Sequence, residues 1–273
     1  RQSSTTFVFD WMFYLPMAVM GVPPEMWVTA ALIDLLYQYW THTELIGRLG
    51  WFDRVFVSPS NHRVHHGQND YCIDRNYGGI FILWDRLFGT FVEERDDEPV
   101  IYGIRKPLAS YNPLWGNLHV YRDLGRRMAA SGSPWAALHA MFAPPAGSPA
   151  QRDTFDPQSF KRYAPSMTSA TRAYALIQYA LLIAPTTHFI AVSPTLTLGE
   201  QVAYALLILV WTVGVGWVLE GRRYARVFEW LRVGGTTAAL LLMPSWFGWS
   251  ADASVELMIA AIALGSLRLI HSR

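Results

Sequence analysis

The sequence predicts an all-α protein that crosses a membrane several times. Hydrophobic residues make up 52% of the 273 residues and charged residues only 16%, whereas soluble proteins carry about 25% charged residues. The apolar residues are also gathered in long runs, which is typical of membrane-spanning helices. A cluster of three histidines, His62, His65 and His66, lies outside these runs. The composition therefore indicates a membrane environment, and the histidine cluster indicates the candidate functional site.

The first element is a predicted helical hairpin. Two short apolar runs, residues 11 to 24 and 26 to 41, meet at Gly21-Val22-Pro23-Pro24-Glu25. A pair of prolines interrupts a helix, because proline has no N–H and its ring clashes with the preceding turn. We therefore expect both runs to be helical and the turn between them to lie at this sequence.

The C-terminal part is predicted to be a block of about four transmembrane helices, residues 171 to 273. Three runs without Asp, Glu, Lys or Arg cover residues 173 to 199, 201 to 219 and 233 to 251. Each is close to the roughly 20 apolar residues that cross a bilayer as a helix. A fourth segment, residues 253 to 270, is a weaker candidate because it contains Glu256 and Arg268.

The arginines predict the orientation. Arg222, Arg223, Arg226 and Arg232 flank the loop between the second and third runs, and Arg268 and Arg273 follow the last. The positive-inside rule places these segments in the cytoplasm. Counting back through two crossings places residues 42 to 171, with the histidine cluster, on the same side. We therefore expect an integral membrane protein whose histidine site is cytoplasmic, where a lone Cys72 is also typical.

The middle of the chain, residues 111 to 170, is predicted to hold one helix and a linker, between an N-terminal domain of residues 1 to 110 and the C-terminal block. Leu114, Leu118, Tyr121, Leu124 and Met128 recur at helical spacing. Such an amphipathic helix can lie in the headgroup layer or pack into a core, and both interpretations stay open. Residues 143 to 168, rich in Pro, Ala, Gly and Ser, are typical of an irregular linker.

The histidine cluster predicts a metal site. In a helix, positions 62, 65 and 66 project from one face, so the three rings can converge. Imidazole is a good ligand for iron, copper, nickel and zinc. His42 ends the second hairpin helix 20 residues earlier, and a loop of that length can return to it. The predicted metal ligands are therefore His42, His62, His65 and His66.

Several nearby polar residues are candidates for orienting these rings. Glu44 follows His42 by two residues, and a carboxylate often accepts the second N–H of a metal-bound imidazole. Asp74, Asn76, Tyr77 and Asp85 follow the cluster closely and can do the same. Residues 74 to 79, Asp-Arg-Asn-Tyr-Gly-Gly, are equally typical of a plain turn, and Asp85 can equally pair with Arg86 or Arg63. These alternatives stay open.

Three stretches together resemble a known superfamily. They are Asn61-His-Arg-Val-His-His-Gly-Gln-Asn, Tyr71-Cys-Ile-Asp-Arg-Asn-Tyr-Gly-Gly and Trp84-Asp-Arg-Leu-Phe-Gly-Thr-Phe, and they are similar to the C-terminal half of the fatty acid hydroxylase (sterol desaturase) superfamily. The resemblance is strong for residues 38 to 110 and mainly hydropathic beyond residue 170. It implies two non-haem iron ions held by histidines from three motifs.

Only part of that superfamily pattern is present. His62, His65 and His66 match the last motif, His42 matches the histidine shortly before it, and the first two motifs are absent. We therefore expect the chain to be a fragment of a longer protein, cut just after those motifs and inactive alone.

For the longer protein, the resemblance implies hydroxylation of a lipid C–H bond with O2 and a reductant. The ether-lipid-cleaving members are the most similar, which implies tetrahydrobiopterin as the electron donor. The alternatives are a fatty acid or sterol hydroxylase, a desaturase, a haem-binding electron carrier and a non-catalytic membrane or lipid-binding protein. No motif for binding nucleic acid is present.

Overall fold

The computed structural model describes residues 7–105, 107–143, 155–156, 159–243, 245–250 and 252–270. Within these ranges the only β pairing is in isolated bridges, and the all-α prediction is confirmed. The helices are α1 (Phe7–Val19), α2 (Pro24–Thr41), α3 (Pro59–His65), α4 (Leu83–Phe88), α5 (Pro113–Ala129), α6 (Pro134–Phe142), α7 (Ser169–Val192), α8 (Leu198–Leu219), α9 (Ala225–Leu242) and α10 (Ala253–Ser266).

The chain divides into two compact units. The first consists of Arg1–Pro107 with Phe142–Arg162, and the second of Leu108–Met141 with Tyr163–Arg273. The first unit contains the hairpin helices and all four predicted metal ligands. The second contains the long apolar helices of the C-terminal half.

The hairpin in the first unit forms much as the sequence predicts. Its turn lies at Met20 and Gly21, where Gly21 takes a positive φ of 82°. Helix α2 begins at Pro24 rather than after it, because proline is well tolerated in the first turn of a helix, whose N–H groups have no partner within the helix. The rings of Tyr14 and Trp27 lie 4.5 Å apart, so the chain folds back on itself.

The second unit contains three helices that are long and apolar enough to cross a membrane, among the residues that the structure describes. They are Ser169–Thr195, Leu198–Leu219 and Ala253–Ile270. A capping box at Thr197 and Glu200 fixes the start of α8. The core of this unit forms around Tyr174, Val218, Val233 and Leu267. Two of the three strong predicted spans and the weak fourth span thus match candidate spans.

The prediction that residues 233 to 251 form one membrane-spanning helix is wrong. Helix α9 begins at Ala225 and ends at Leu242, so the charge-free run is not one helix. Met243 and Pro244 follow in the sequence, and proline disfavours the continuation of a helix because it has no N–H to donate. The chain then makes a tight turn in which Trp246 and Trp249 exchange backbone hydrogen bonds of 2.7 and 2.9 Å.

The amphipathic helix predicted at residues 114 to 128 is confirmed as α5. None of its residues is buried, and Leu114, Leu118 and Tyr121 are 41%, 43% and 39% exposed. Helix α6 follows it and was not predicted. Of the predicted linker, residues 159–168 have no helix, and most of residues 144–158 lie outside the described ranges.

Candidate metal centre

Helix α3 places the histidine cluster in a defined position. Pro59 stands at the first helical position, and the hydroxyl of Ser58 accepts a hydrogen bond from the Asn61 N–H. A proline and a serine cap fix the start of a helix. His66 follows the helix but keeps right-handed helical dihedrals. His62 and His66 are therefore four residues apart on a continuous helical path, and their rings lie on one face.

Three imidazole nitrogens converge on one point. The Nε2 atoms of His42 and His62 are 2.9 Å apart, those of His62 and His66 are 3.0 Å apart, and those of His42 and His66 are 3.2 Å apart. At a metal–nitrogen distance of about 2.1 Å, neighbouring ligands stand about 3.0 Å apart in an octahedron and about 3.4 Å apart in a tetrahedron. The triangle thus has the size of one octahedral face.

A backbone carbonyl sets the tautomer of His42. Its Nδ1 lies 2.7 Å from the carbonyl oxygen of Gln38, one turn earlier in α2. A carbonyl can only accept, so Nδ1 carries the proton and Nε2 presents a lone pair to the centre. This is the arrangement that metal-binding histidines commonly use. The sequence suggested Glu44 for such a role, but Glu44 accepts a hydrogen bond from the Tyr102 hydroxyl.

The local environment keeps the other two rings neutral. Burial, together with the neighbouring histidines His66, His42 and His65, lowers the pKa of His62 to about 3. Burial beside these rings also lowers the pKa of His66 to about 4, although the outer edge of His66 is exposed. Neutral imidazole is the form that binds metal ions. The Nδ1 atom of His62 is buried and has no hydrogen-bond partner among the described residues.

His65 lies beside the three converging rings but is not one of them. Its ring stacks on His62 at 5.4 Å between centroids and lies 5.1 Å from the ring of His66. On its other side it approaches the ring of Tyr77 at 6.2 Å. The structure therefore brings all four predicted histidines together and aims three of them at one point.

Asp85 holds a turn rather than a ring. Its buried carboxylate accepts hydrogen bonds from the backbone N–H groups of Tyr77 and Gly78 at 2.7 and 2.8 Å. The Thr90 hydroxyl donates a third at 2.6 Å. The predicted pairing of Asp85 with Arg86 or Arg63 is not seen among these contacts. Its carboxylate instead fixes the loop that passes beside His65.

Asn76 also binds backbone groups. It adopts the left-handed conformation with φ of 53°, as Asp74 does with φ of 57°. Its amide donates to the carbonyls of Asn61 and Val92 at 2.9 and 2.8 Å and accepts from the Val92 N–H at 2.9 Å. Asn76 thereby joins the start of α3 to a distant segment of the first unit.

Arg63 forms a clamp that no pattern in the sequence predicted. Its guanidinium donates two hydrogen bonds to the carboxylate of Glu94 at 2.7 and 2.6 Å. The third nitrogen donates to the carbonyls of Thr43 and Ile46 at 3.0 and 2.9 Å. Arg63 thus ties the loop that follows His42 to the helix that carries His62. This clamp sets the distance between the two parts of the site.

A cavity of 540 Å³ opens beside the three nitrogens. Its walls include His42, His62, His66 and the phenol of Tyr102. Burial and the hydrogen bond to Glu44 raise the pKa of Tyr102 to about 12, so this hydroxyl stays protonated at neutral pH. The site therefore combines a set of neutral nitrogen ligands with room for a further molecule next to them.

The part of the chain that contains these histidines matches a known protein family. Residues 2–90 match the sequence profile of the fatty acid hydroxylase family. This part of the chain belongs to that family. The match includes the whole segment from α2 to α4, with His42, His62, His65 and His66.

The relatives that match most of the chain are monooxygenases by name. Alkylglycerol monooxygenase from Xenopus tropicalis is 34% identical over 242 residues, which is 85% of this chain and 53% of the relative. The enzyme of that name from Homo sapiens is 31% identical over 239 residues, with the same coverage. The chain thus spans about half the length of these curated relatives.

A more distant relative extends the comparison to another lipid enzyme. The ornithine lipid hydroxylase OlsE from Rhizobium tropici is 30% identical over 77 residues, which is 28% of this chain and 23% of the relative. No solved structure matches the chain significantly. The chain is therefore similar to lipid hydroxylases, and its resemblance to the fatty acid hydroxylase family is confirmed.

Proposed function

We propose that the chain is part of a membrane-bound di-iron lipid monooxygenase. In this proposal His42, His62 and His66 bind one iron ion through Nε2, and His65 serves the second ion. The observation that supports this proposal most directly is the triangle of Nε2 atoms, whose edges are 2.9 to 3.2 Å long. Bound iron would supply the activation of O2 that inserts oxygen into a C–H bond.

The residues of this chain prepare the site for an ion. The carbonyl of Gln38 holds the His42 proton at Nδ1 and so keeps Nε2 free. Burial holds His62 neutral, which avoids repulsion between an imidazolium and a cation. Arg63 keeps the loop after His42 against α3. These contacts preorganise three ligands, which reduces the cost of binding.

The substrate is proposed to be a lipid with a long alkyl chain. Helix α2 leads directly to His42, and its apolar side chains, among them Leu32, Leu35 and Leu36, are exposed. Such a surface suits contact with lipid tails. A tail lying along α2 would reach the cavity that His42, His62 and His66 line. The names of the alkylglycerol monooxygenase relatives support an ether lipid as substrate.

The whole protein is proposed to lie in a membrane with the site facing the cytoplasm. The three candidate spans support membrane insertion, and the arginines around Arg222 and Arg223 support the orientation. We propose a cytoplasmic reductant, tetrahydrobiopterin, on the strength of the same relatives. A second candidate, hydroxylation of a lipid without cleavage of an ether bond, is favoured by the similarity to the ornithine lipid hydroxylase.

An activity assay on the whole protein tests this proposal. Membranes from expressing cells are supplied with iron, O2, tetrahydrobiopterin and 1-O-hexadecylglycerol, and the released aldehyde is measured. We expect activity that requires O2 and is lost in His66→Ala. The control is His119→Ala, because the His119 ring is bonded to the carbonyls of Trp115 and Gly116 in α5. Activity that survives in His66→Ala would exclude the proposed site.

The same assay separates the two candidate reactions. Release of an aldehyde indicates that the carbon next to the ether oxygen was oxidised. A hydroxylated lipid with its ether bond intact indicates the second candidate. Neither product in the presence of fully iron-loaded protein would refute the proposed activity.

A further inference from the structure

Helix α5 presents an apolar face that the described part of the second unit does not bury. Leu114, Leu118 and Tyr121 recur at helical spacing, so they project from one side of the helix. All three side chains are exposed. No residue of α5 is buried, so this helix does not belong to the core of its unit. An exposed apolar row of this kind marks a surface that contacts lipid or another protein.

Helix α6, the next along the chain, has an exposed row as well. Trp135, Leu138 and Met141 are three residues apart, so they share one side of α6. All three are exposed, and Trp135 is the most exposed of them. Tryptophan is enriched where a membrane meets water, because its ring is apolar and its N–H is polar. The two helices together are therefore typical of a segment at a membrane surface.

The start of α5 is bonded to the end of a candidate span. The Ser110 hydroxyl donates a hydrogen bond to the Glu220 carboxylate at 2.6 Å, and the Tyr111 N–H donates to the same oxygen. Glu220 directly follows Leu219, the last residue of α8. The Tyr111 carbonyl oxygen also lies so close to Gly216 in the last turn of α8 that a Cβ atom there would be 2.8 Å from it. Helix α5 therefore begins at the level at which this span ends.

The charges of this region fit an anionic surface. Helix α5 contains the arginines Arg122, Arg126 and Arg127 and a single acidic residue, Asp123. Asp123 pairs with Arg122 at 2.9 Å, so the last turn leaves α5 with a net positive charge. The helix period places Arg126 at the edge of the apolar face and Arg127 on the opposite side. The cytoplasmic leaflet of a membrane carries anionic lipids, which attract arginine.

We propose that α5 lies in the headgroup layer of the anionic cytoplasmic leaflet, with Leu114 and Leu118 towards the acyl chains and Arg126 at the lipid phosphates. A helix with one apolar side and flanking cations binds a membrane surface in this way. The bonds to Glu220 hold the start of the helix at that surface. The inference rests on the proposed membrane insertion of the second unit, and it does not depend on iron binding by the first.

Quenching of a fluorescent probe by lipids tests the proposal. The full chain is reconstituted in nanodiscs of phosphatidylcholine and phosphatidylserine, and Leu118→Cys is labelled with NBD maleimide. Lipids with doxyl groups on their acyl chains then quench any probe that touches them. Wild type, whose one cysteine, Cys72, is buried, gives the background. We expect strong quenching at Leu118→Cys and weak quenching at Val120→Cys, an exposed position on the opposite side of α5.

Arginine variants test the role of charge in the same labelled protein. Arg126→Gln should lower the ratio of docked to undocked α5 by about fivefold in nanodiscs with phosphatidylserine, because one cation near the phosphates is lost. Arg126→Lys keeps the charge and should keep the quenching. Arg127→Gln removes the same charge from the side that faces water, and its effect should be smaller. In pure phosphatidylcholine the effect of Arg126→Gln should largely disappear.

A probe in α8 separates failure of this inference from failure of membrane insertion. Val210→Cys, an exposed position inside a candidate span, should be quenched whenever the second unit is inserted. If Val210→Cys is quenched but Leu118→Cys is not, or if Leu118→Cys and Val120→Cys are quenched equally, the inference is wrong and insertion stands. Equal losses in Arg126→Gln and Arg126→Lys would overturn the role of charge. If no position is quenched, insertion and the inference both fail.

Discussion

Replacing Arg63 with methionine should weaken both the fold and the metal site. Methionine keeps the length of the side chain and removes its charge and donors. The wild-type guanidinium makes two hydrogen bonds to Glu94 and two to the carbonyls of Thr43 and Ile46. The Arg63 and Glu94 side chains are only 12% and 17% exposed. The variant therefore removes this donor from two carbonyls, and it leaves a nearly buried carboxylate with the hydrogen bond from Ser60 but without its cation.

The expected cost follows from this geometry. Removing one partner of a buried ion pair costs about 3 to 5 kcal/mol of unfolding free energy, and residual exposure places this pair at the lower value. Loss of a residue that positions ligands commonly weakens metal binding by about 10- to 100-fold. We therefore expect Arg63→Met to lower the free energy of unfolding by about 3 kcal/mol and iron affinity by at least about tenfold.

The pH dependence of this difference has a definite sign. Burial favours protonated Glu94, but hydrogen bonds from Arg63 and Ser60 outweigh it and lower the Glu94 pKa. A carboxyl whose pKa is lowered by folding adds stability above its ordinary pKa, and this stability is lost as the pH falls through the lowered pKa. The difference in unfolding free energy between wild type and Arg63→Met should thus be largest at neutral pH and should decrease as the pH falls.

The assay compares thermal unfolding in detergent with anaerobic Fe(II) titration for wild type and variants. Arg95→Met is the matched control, because Arg95 pairs with Glu98 at 3.6 Å with both side chains exposed, 51% and 40%. Exposed pairs contribute less than about 1 kcal/mol. If Arg63→Met and Arg95→Met unfold at the same temperature and bind iron with the same affinity, Arg63 does not set the geometry of the site.

Two further predictions concern the backbone and the membrane. Gly67→Ala should destabilise the protein by about 1 to 3 kcal/mol, because a Cβ atom would lie 2.5 Å from Sγ of Cys72; Gly125→Ala in α5 meets no atom within 4 Å and should stabilise by about 0.5 to 1 kcal/mol. Equal thermal stability of the two variants would contradict this. In intact cells, a membrane-impermeant maleimide should label Thr195→Cys but not Arg223→Cys; labelling of both would contradict the proposed orientation.

The helical elements and the histidine cluster could be predicted because their signals are local. The spacing of His62 and His66 fixes a shared face through the helix period alone, and the loop of 20 residues that can return to the end of the hairpin helix added His42. Local spacing did not predict that His65 lies outside the set of three converging rings. The direction of that ring depends on its packing against the side chains of His62 and Tyr77.

The contacts that hold the site together could not be predicted, because they join residues far apart in the sequence. Arg63 meets Glu94 across 31 residues, and Asn76 meets Val92 across 16. No periodic pattern marks such pairs. Glu94 and Asp96 belong to an acidic run in the sequence, and nothing in that run indicates that Glu94 pairs with Arg63 and Asp96 with Arg48.

The error at the third predicted span has a different cause. Counting residues without charge gave a run from 233 to 251, although the helix starts before it, at Ala225, and includes the buried pair Glu229 and Arg232. Such a pair is tolerated inside a helix because the two charges bind each other. Pro244 and Gly248 were the available signals that the helix ends early. Residues that interrupt helices were therefore better evidence for the end of this helix than the absence of charged residues was for its continuation.

X-ray absorption spectroscopy of the chain loaded anaerobically with one equivalent of Fe(II) tests the central claim most directly. The account predicts imidazole nitrogens at about 2.1 Å from the iron, with the imidazole signal lost in His62→Ala and kept in His139→Ala, where the exposed ring stands on α6. A first shell of oxygen atoms alone, or a spectrum unchanged in His62→Ala, would show that His42, His62 and His66 do not hold the metal.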